Sequence, residues 1–371
     1  MRVLITGSNG FIGKNLAVRL GELDGYEVIG FSREDSLEDL SEKVKLADSI
    51  IHLAGINRPK DVKEFAEGNA DLTAQLCELI AATGRKIPLI VSSSIQADSA
   101  NPYGESKRAA EEAAEQLASR TGNPVTIYRL PNVFGKWCKP NYNSVVATFC
   151  HNIARGLPIQ VNDPDAPITL VYVDDVIERF VQFMDGADAA VGADGFAMVS
   201  PQYTTTVGEL ARQIQAFKDS RTTLMTERVG TGLVRALYAT YVSYLPVELF
   251  AYTVPQYADP RGVFVEMLKT PDVGQFSYFT AYPGVTRGGH YHHSKTEKFL
   301  VIKGQARFKF RHMQTGQAHE LITTGDKPEI VETVPGWTHD ITNIGTIEMI
   351  VMLWANEVFD RARPDTFACA L

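Results

Sequence analysis

The sequence opens with Met1-Arg-Val-Leu-Ile-Thr6-Gly7-Ser8-Asn9-Gly10-Phe11-Ile12-Gly13. The apolar residues before Thr6 predict a strand, and residues 14–20 predict the helix that follows it. Glycines are needed between the two because the backbone turns tightly there and approaches a pyrophosphate, which rests on N–H groups at the positive end of the helix. This context predicts a dinucleotide site formed by Gly7, Asn9, Gly10, Phe11, Ile12 and Gly13.

The rest of the first half alternates short apolar runs with amphipathic stretches, which is the pattern of a parallel sheet covered by helices. Strands are predicted over residues 3–6, 27–31, 49–53, 87–92 and 126–130. Helices are predicted over residues 14–20, 62–82 and 106–120. The predicted fold of this half is therefore an α/β Rossmann domain.

The second half changes character after Pro246. From Val263 onward, short β-rich runs separated by Gly, Pro and Asp turns predict an all-β domain. Its strands are predicted over residues 275–281, 298–302, 306–312 and 347–354. Residues 230–245 predict an amphipathic helix that docks on the first domain. The predicted organisation is a reductase-type nucleotide domain over residues 1–246, a linker over 247–258 and a β domain over 259–371.

Composition excludes several classes of protein. A net charge of −8 argues against a nucleic-acid partner, which requires a basic face. No apolar run approaches the roughly 20 residues of a membrane span, and no signal peptide precedes the first predicted strand. The four cysteines show no paired spacing and are expected to be reduced thiols. We therefore expect a cytoplasmic protein with neither a nucleic-acid nor a membrane partner.

The second predicted strand bears on the choice of cofactor. It ends in Ser32-Arg33, without the acidic residue that a ribose diol requires. Arg33 suits a 2′-phosphate instead, which favours NADPH over NADH, although a solvated loop arginine is the alternative. His52-Leu53-Ala54-Gly55 closes the third strand, at the adenine and ribose edge of such a site. The predicted cofactor contacts therefore also include Ser32, Arg33, Leu53, Ala54 and Gly55.

A tyrosine and a lysine four residues apart supply acid–base chemistry. Tyr103 and Lys107 lie on one face of a helix start. A free phenol has a pKa near 10, and a neighbouring ammonium favours the phenolate, so Tyr103 can exchange a proton with a carbonyl or alcohol. Ser92-Ser93-Ser94 ends the preceding strand and supplies a hydroxyl for the substrate oxygen.

The loop Lys136-Trp-Cys-Lys-Pro-Asn-Tyr-Asn143 follows the last strand of this domain. Its two lysines, tryptophan and amide side chains suit a nucleotide-sugar diphosphate and its base. The alternative is a rigid surface loop that contains proline. The predicted substrate contacts in this loop are Lys136, Lys139 and Asn141.

These motifs resemble the extended short-chain dehydrogenase/reductase family of sugar-nucleotide enzymes. Residues 6–13, 52–55, 92–94, 103–107, 129–135 and 171–175 occur in that family's order, over about residues 1–245. The resemblance implies catalytic roles for Ser94, Tyr103 and Lys107, with Lys107 also binding the nicotinamide ribose, and a substrate contact at Asn132. The loop between Ser94 and Tyr103 is short for the family, so Ser93 stays open as the catalytic hydroxyl.

A second group of reactive residues begins at His290-Tyr-His292-His293. Because side chains alternate along a strand, His290 and His292 face one side and His293 the other. Two imidazoles, a carboxylate and a third imidazole form a ligand set for a borderline divalent metal such as Zn²⁺. The predicted metal ligands are His290, His292, Glu297 and His339.

This spacing resembles the cupin motifs, except that Pro335 adjoins Gly336 directly. Residues 259–266 and 287–290 also resemble the dTDP-4-keto-sugar epimerases of the cupin superfamily. That resemblance implies a substrate-binding Arg287 and places Lys298 near the substrate keto oxygen. It also implies His290 as the catalytic base, which conflicts with metal binding by the same ring. The other candidates for the base are Tyr291, His293 and His339.

A reductase joined to a cupin domain is similar to a family of bifunctional capsular polysaccharide enzymes. This resemblance covers essentially the whole chain and implies a homodimer that acts on a UDP-2-acetamido-2,6-dideoxy-4-hexulose. The cupin domain would epimerise carbon 3, and the reductase domain would then deliver hydride from NADPH to carbon 4, toward UDP-N-acetyl-L-fucosamine.

Two other functions stay open at this point. One is a sugar-nucleotide reductase or C-4 epimerase that carries a structural, dimerising cupin domain. The other is a non-catalytic nucleotide sensor. The presence of both Tyr103 and Lys107 weighs against the sensor.

Overall fold

The computed structural model describes residues 1–59 and 61–371, which form two compact units. The first unit contains Met1–Ile214 and Ala236–Leu245, and the second contains Gln215–Arg235 and Pro246–Leu371. Residues 215–235 therefore group with the second unit, although the sequence prediction assigned them to the first domain. The end of the predicted linker lies in a strand, Gln256–Asp259.

The first unit alternates strands and helices as predicted. Its strands are β1 (Arg2–Thr6), β2 (Glu27–Phe31), β3 (Ser49–His52), β4 (Leu89–Ser94), β5 (Val125–Leu130), β6 (Asn132–Phe134), β7 (Pro167–Tyr172) and β8 (Tyr203–Thr206). Its helices are α1 (Phe11–Gly21), α2 (Leu37–Leu46), α3 (Lys63–Phe65), α4 (Leu72–Ala82), α5 (Pro102–Thr121), α6 (Val145–Ala154) and α7 (Val173–Met184). Two more helices, α8 (Val207–Thr223) and α9 (Gly232–Ser243), each cross a division of the chain between the units.

Strands β1 to β5 form a parallel sheet in the order β2-β1-β3-β4-β5. The core beside this sheet contains Leu4, Ile50, Leu76, Leu89 and Leu117, all buried. The strand order reverses between β1 and β3, and open α/β sheets bind ligands at such a point, beyond the carboxyl ends of the strands. The predicted α/β class of the first half is confirmed, and its topology places a ligand site beside Thr6.

Helix α5 begins at a position fixed by local chemistry. The Asn101 side chain accepts a hydrogen bond from the backbone N–H of Gly104 at 2.9 Å, and Pro102 occupies the first turn, where its missing N–H costs nothing. The helix ends at Gly122, whose φ is +69°. Tyr103 and Lys107 are thereby held in the first two turns of a well-capped helix.

A π-helical turn, Ala66–Asp71, separates α3 from α4. The sequence predicts one continuous helix over residues 62–82, so the widened turn is a difference from that prediction. A π turn takes one residue more than an α turn and changes the direction of the side chains around it. Asn69 lies within this turn and is buried.

The second unit consists mainly of antiparallel strands, which confirms the predicted all-β class. Its strands are β9 (Gln256–Asp259), β10 (Gly262–Lys269), β11 (Gln275–Ala281), β12 (Thr286–Tyr291), β13 (Glu297–Lys303), β14 (Gln305–His312), β15 (Ala318–Thr324), β16 (Ile330–Glu332), β17 (Trp337–Asn343), β18 (Met349–Ala355) and β19 (Phe367–Ala368). They form two sheets, in the orders β16-β13-β18-β11-β10-β9 and β15-β14-β17-β12-β19.

The inward faces of these two sheets supply the core of the second unit. Aromatic and branched side chains such as Phe279, Phe299, Phe308, Ile341 and Val351 fill it. Burial of each such side chain stabilises the fold by roughly 1.5–3 kcal/mol. In the described residues of both units, no helix is long and apolar enough to cross a membrane.

A buried ion pair joins three elements of the first unit. The Arg129 guanidinium on β5 donates two hydrogen bonds to the Glu111 carboxylate on α5, at 2.9 and 2.7 Å. The Ser93 hydroxyl on β4 donates to the same carboxylate at 2.5 Å. Glu111 is 2% and Arg129 7% exposed. Removal of Glu111 leaves the buried guanidinium with one close partner, the largely exposed Asp98 at 2.8 Å, and removal of Arg129 leaves the buried Glu111 carboxylate without its cation.

Glu111→Ala should therefore lower the free energy of unfolding of the first unit by about 3–5 kcal/mol, as expected for a broken buried pair. Thermal unfolding followed by circular dichroism would measure the loss. The double variant Glu111→Leu/Arg129→Met removes both charges and should be more stable than Glu111→Ala. A single variant that melts at the wild-type temperature would contradict this role of the ion pair.

Candidate active site and metal centre

A cavity of about 620 Å³ lies beyond the carboxyl ends of the parallel strands in the first unit. The glycine turn after β1, the ends of β3 and β4, the start of α5 and the loop after β6 all contribute to its wall. This is the position that the strand order favours for a ligand. Its lining includes the predicted cofactor contacts Gly7, Asn9, Gly10, Phe11, Ile12, Gly13, Arg33, Leu53, Gly55 and Lys107.

Two glycines of this turn are required by close backbone contacts. Gly7 has φ +71°, and a Cβ there would lie 2.8 Å from the backbone nitrogen of Ala54. A Cβ on Gly13 would lie 2.3 Å from the carbonyl oxygen of Gly7. The glycines therefore allow β1, β3 and α1 to approach each other and expose the N–H groups of the turn.

The end of β2 presents a cation to the cavity. Arg33 is part of the lining, whereas Ser32, Glu34 and Ala54 do not contribute to it. The Asp35 carboxylate, two residues after Arg33, accepts hydrogen bonds from the backbone N–H and hydroxyl of Ser32 at 2.7 and 3.2 Å. It also pairs with Lys43. The Asp35 carboxylate therefore already has hydrogen-bond and ion-pair partners. Arg33, two residues after β2 ends, is the charged residue of this turn that lines the cavity.

Ser94, Tyr103 and Lys107 come together on one wall of the cavity. Ser94 is close enough to Tyr103 to influence the pKa of its phenol. The Lys107 ammonium donates to the carbonyl of Ser92 at 3.1 Å. The Ser93 hydroxyl donates instead to Glu111, inside the protein. The geometry therefore favours Ser94 over Ser93 as the hydroxyl available to a substrate.

Burial sets the protonation of this group. It raises the pKa of Tyr103, against the lowering effect of the Ser94 hydrogen bond, so the phenol is protonated at neutral pH. Burial lowers the pKa of Lys107 to about 8, with the charge of Glu111 opposing the shift. The site therefore holds a proton donor beside an ammonium that titrates near neutral pH.

A chain of buried hydrogen bonds, which the sequence did not reveal, lies behind this wall. The Ala54 N–H donates to the Thr6 hydroxyl at 3.3 Å, and that hydroxyl contacts Nδ1 of His52 at 2.7 Å. Nε2 of His52 contacts the Thr73 hydroxyl at 2.8 Å. Because Thr73 donates to the Asn69 carbonyl at 2.6 Å, it must accept from Nε2. His52 is therefore neutral, with its proton on Nε2, and burial lowers its pKa to about 3.

The same chain reaches the helix that carries Tyr103. The Asn69 amide donates to the Ser106 hydroxyl at 2.9 Å, and Ser106 donates to the Tyr103 carbonyl at 2.8 Å. Asn69 also holds both backbone groups of Ile56, at 2.8 and 3.0 Å. The polar residues Thr6, His52, Asn69, Thr73 and Ser106 thus link the cofactor edge of the sheet to the catalytic helix.

The predicted substrate loop only partly reaches the cavity. Asn132 and Lys139 line it, together with Trp137, Cys138 and Tyr142. Lys136 instead pairs with Asp174 at 2.5 Å, and Asn141 is bonded to Thr148 and Asn152. The structure therefore does not bring Lys136 and Asn141 to the cavity wall. Trp137 and Asn141 have positive φ, so the backbone of this loop is irregular.

The predicted metal ligands of the second unit form one compact group. His290, His292, Glu297 and His339 each offer a ligand atom, and these atoms all lie within 4.8 Å of one another. The three imidazole rings are 4.8 to 5.2 Å apart. His290 is half-buried and the other three are buried. Burial, and next the neighbouring His339, lower the pKa of His290 to about 4, so its ring is neutral and able to bind a metal.

The donor set fits a divalent cation. Nδ1 of His292 lies 2.5 Å from the carbonyl of Asp365, which can only accept, so Nδ1 carries the proton. Nε2 is then the nitrogen that can bind a metal; it faces Glu297 Oε2 at 3.2 Å, and His339 Nε2 lies 3.6 Å from the same oxygen. His339 Nε2 makes no hydrogen bond in the described structure. Ligand atoms in a tetrahedral zinc site are about 3.4 Å apart, so these spacings suit a cation between them.

The structure corrects the assignment of Lys298. Along β13, Glu297 faces inward and Lys298 outward, where it is about half exposed and pairs with Glu332. Lys298 therefore does not lie at the His/Glu group. The ammonium at that group belongs to Lys295, which is buried and lies 3.0 Å from Glu297 Oε1.

Other predicted residues of the second unit fall on both sides of the sheet. Arg287 pairs in register with the inward-facing Ile341, and its Nη2 is buried without a hydrogen-bond partner in the described structure. Tyr291 stacks on Phe367, and the exposed His293 contacts the same ring. Both rings therefore contact Phe367, and the identity of the base stays a prediction.

Comparison with known proteins gives the family. A family model described as the NAD dependent epimerase/dehydratase family matches residues 3–197. A second, described as the polysaccharide biosynthesis C-terminal domain, matches residues 257–367. A Pseudomonas aeruginosa protein named UDP-2-acetamido-2,6-beta-L-arabino-hexul-4-ose reductase is 61% identical over 100% of this chain and 99% of that protein.

Solved structures agree with these matches. The capsular polysaccharide assembling protein CapF from Staphylococcus aureus is 41% identical, covers 100% of both chains and superposes with a TM-score of 0.92. A UDP-glucuronic acid 4-epimerase from Bacillus cereus, 17% identical over 66% of this chain and 99% of its own, has a TM-score of 0.55 and shares the fold alone. The chain therefore belongs to the NAD dependent epimerase/dehydratase family, with the CapF-like capsular polysaccharide proteins that join this domain to a polysaccharide biosynthesis C-terminal domain.

Proposed function

We propose that the chain reduces the 4-keto group of a UDP-linked 2-acetamido-2,6-dideoxy-hexulose with NADPH, after epimerisation of carbon 3 in the second unit. The product leads toward UDP-N-acetyl-L-fucosamine. The observation that carries the reductase part is the convergence of Ser94, Tyr103 and Lys107 on one wall of the cavity beside the glycine turn. The name of the Pseudomonas aeruginosa relative supports the substrate class.

In the reduction, Tyr103 donates its phenolic proton to the oxygen on carbon 4, and Ser94 holds that oxygen. The Lys107 ammonium stabilises the phenolate that remains. NADPH, when bound, supplies the hydride to carbon 4. The N–H groups of the glycine turn would hold its pyrophosphate and Arg33 its 2′-phosphate, because both line the same cavity.

In the epimerisation, the hydrogen on carbon 3 is acidic because the adjacent keto group delocalises the charge of the enolate. A divalent metal held by His290, His292, Glu297 and His339, with Zn²⁺ favoured by the ligand types, would supply Lewis acid stabilisation. Arg287 suits an anionic group of the substrate, because Nη2 of its partly buried guanidinium makes no hydrogen bond in the described structure and lies 4.0 Å from its ion-pair partner Asp259. These inward-facing groups support a catalytic second unit over a purely structural one.

A homodimer is part of the proposal. It rests on the family resemblance and on the large apolar side chains that the second unit exposes, among them Tyr257, Met267, Tyr282 and Ile302.

The two reactions should respond separately to substitution. Tyr103→Phe removes the proton donor and should slow NADPH oxidation by about 10²- to 10⁴-fold. The same variant should still exchange the carbon-3 hydrogen for deuterium when the keto sugar is incubated in deuterated water without NADPH. Mass spectrometry and proton NMR of the recovered sugar would measure the exchange.

The reciprocal control is Glu297→Gln, which changes a ligand in the second unit and should abolish exchange. A wild-type chain that reduces the sugar without catalysing exchange would refute the epimerase part and favour a structural cupin domain. Loss of both reactions in Tyr103→Phe would contradict two separate centres.

Reduction should become slower as pH rises above about 8. Lys107 has a pKa lowered to about 8, so it is charged below this pH and neutral above it. Since the ammonium is needed, kcat/KM at saturating NADPH should fall about tenfold for each further pH unit. Steady-state rates from pH 6 to 10 would show this. Lys107→Arg keeps the charge and should move the fall to higher pH at a lower maximum; a flat wild-type profile would oppose this assignment.

Arg33→Ala should change the choice of cofactor. Loss of a charged hydrogen bond to the 2′-phosphate, worth about 1.5–3 kcal/mol, corresponds to a 10- to 100-fold weaker Kd for NADPH. NADH lacks that phosphate and serves as the matched control, with an affinity that should change less than twofold. Fluorescence titration measures both. Equal weakening for the two cofactors would show that Arg33 does not read the phosphate.

A further inference from the structure

Asp365 makes an unusual number of contacts with the loop that joins two metal-ligand strands. Its carboxylate accepts hydrogen bonds from the backbone N–H groups of His293, Ser294 and Lys295, at 2.9, 2.7 and 2.7 Å. The Ser294 hydroxyl donates to the same carboxylate at 3.0 Å. One side chain thereby fixes three successive residues between His292 and Glu297, the loop 293–295.

The backbone of Asp365 acts directly on a predicted ligand. Its carbonyl accepts the proton of His292 Nδ1 at 2.5 Å, so Nε2 is the nitrogen directed at the group of ligand atoms. A partner on the second ring nitrogen fixes the tautomer and orientation of a metal-binding histidine. The segment around Asp365 therefore determines which nitrogen of His292 is available.

The loop fixed by Asp365 also orients Glu297. Lys295, whose backbone N–H bonds to Asp365, directs its ammonium to Glu297 Oε1 at 3.0 Å. The other oxygen, Oε2, is the one that faces His292 and His339. Lys295 is buried, and its ammonium lies 5.8 Å from the ring centre of Phe359. It therefore holds the carboxylate in one orientation, with Oε2 toward the centre.

Residues after Asp365 continue along the strands that carry the remaining ligands. In β19, Ala368 pairs in register with His290 on β12, and the Cys369 N–H donates to the Gly289 carbonyl at 2.8 Å. The hydroxyl of Thr338, which precedes His339 on β17, donates to the Cys369 carbonyl at 2.5 Å. The segment 365–369 thus bonds to His292 directly and pairs with His290 in register. It reaches His339 through the neighbouring Thr338, and Glu297 through the loop 293–295.

We propose that Asp365 is a positioning residue for the metal centre, and that the segment 365–369 holds His292 and Glu297 in the geometry that binds the ion. This inference rests on the metal centre of the proposed function. It requires no contact between Asp365 and substrate, so its effect should appear in metal affinity before any effect on chemistry.

The test compares the Zn²⁺ affinity of full-length variants by competition with a chromophoric chelator. Asp365→Ala removes all the carboxylate contacts and should weaken Zn²⁺ binding by about 10- to 100-fold, the usual effect of losing a partner of a metal ligand. Asp365→Asn keeps the shape of the side chain and should lie between Asp365→Ala and wild type. The absorption bands of bound Co²⁺ should lose intensity in Asp365→Ala, because a misplaced ligand lets water enter and raises the coordination number.

Asp360→Asn is the matched control, since Asp360 lies nearby in sequence but, within the part of the chain that the structure describes, bonds only to Ala362 and Arg363. It should bind both metals as wild type does. Thr338→Val offers a second route to the same result: it removes the bond to Cys369 without touching Asp365, and should weaken Zn²⁺ binding in the same direction by a smaller factor.

The outcomes separate this inference from the proposed metal centre. If the wild-type chain binds neither Zn²⁺ nor Co²⁺, the metal centre itself fails. If wild type binds and Asp365→Ala, Asp365→Asn and Thr338→Val all match its affinity and Co²⁺ spectrum, the metal centre stands and the positioning role of Asp365 is overturned. Should Asp365→Ala fail to fold, Asp365→Asn and Thr338→Val still decide the question.

Discussion

The buried hydrogen bonds from Thr6 through His52, Thr73 and Asn69 to Ser106 constrain the whole catalytic arrangement of the first unit. Each hydroxyl in this chain donates one bond and accepts another, and the single ring proton of His52 makes the directions consistent. A second proton on His52 would lie on Nδ1. It would then point at the hydroxyl hydrogen of Thr6, so two donors would face each other. Burial, and next the charge of Lys107, hold the pKa of His52 far below its ordinary value, so the ring stays in the neutral state that this pattern of bonds requires.

That constraint connects two functions which the sequence shows as separate motifs. The glycine turn follows Thr6, and Tyr103 belongs to a helix about one hundred residues later. Strand order brings β1 beside β3, and the polar chain then joins β3 to the start of α5 through Asn69. The cofactor edge and the proton donor are consequently held by one hydrogen-bonded frame, and relative movement between them would break buried bonds.

Local chemistry explains which parts of the site the sequence could predict. The glycine turn, the Tyr103–Lys107 spacing and the four metal-type ligands depend on residues close together in sequence or on strand alternation, and the structure brings each set together. Lys298 was placed by analogy alone, and alternation along β13 could have excluded it, since its neighbour Glu297 faces inward. Lys136 and Asn141 depended on the path of an irregular loop, which no periodicity encodes. Asp365 contacts a loop some 70 residues earlier in the chain, and Lys295 acts from a buried position. A single sequence contains no local sign of the long-range contact or of the burial.

The π turn at Ala66–Asp71 makes the first unit sensitive to the length of this segment, independently of its composition. Each residue of a helix advances the direction of the side chains by about 100°. Deletion of a single residue from the turn would restore α-helical spacing and rotate Asn69 relative to α4 by that angle, away from Ser106 and Ile56. An insertion or deletion in this turn would therefore disconnect the catalytic helix from the cofactor edge. The active site thus depends on the number of residues in the turn as well as on the amide side chain of Asn69.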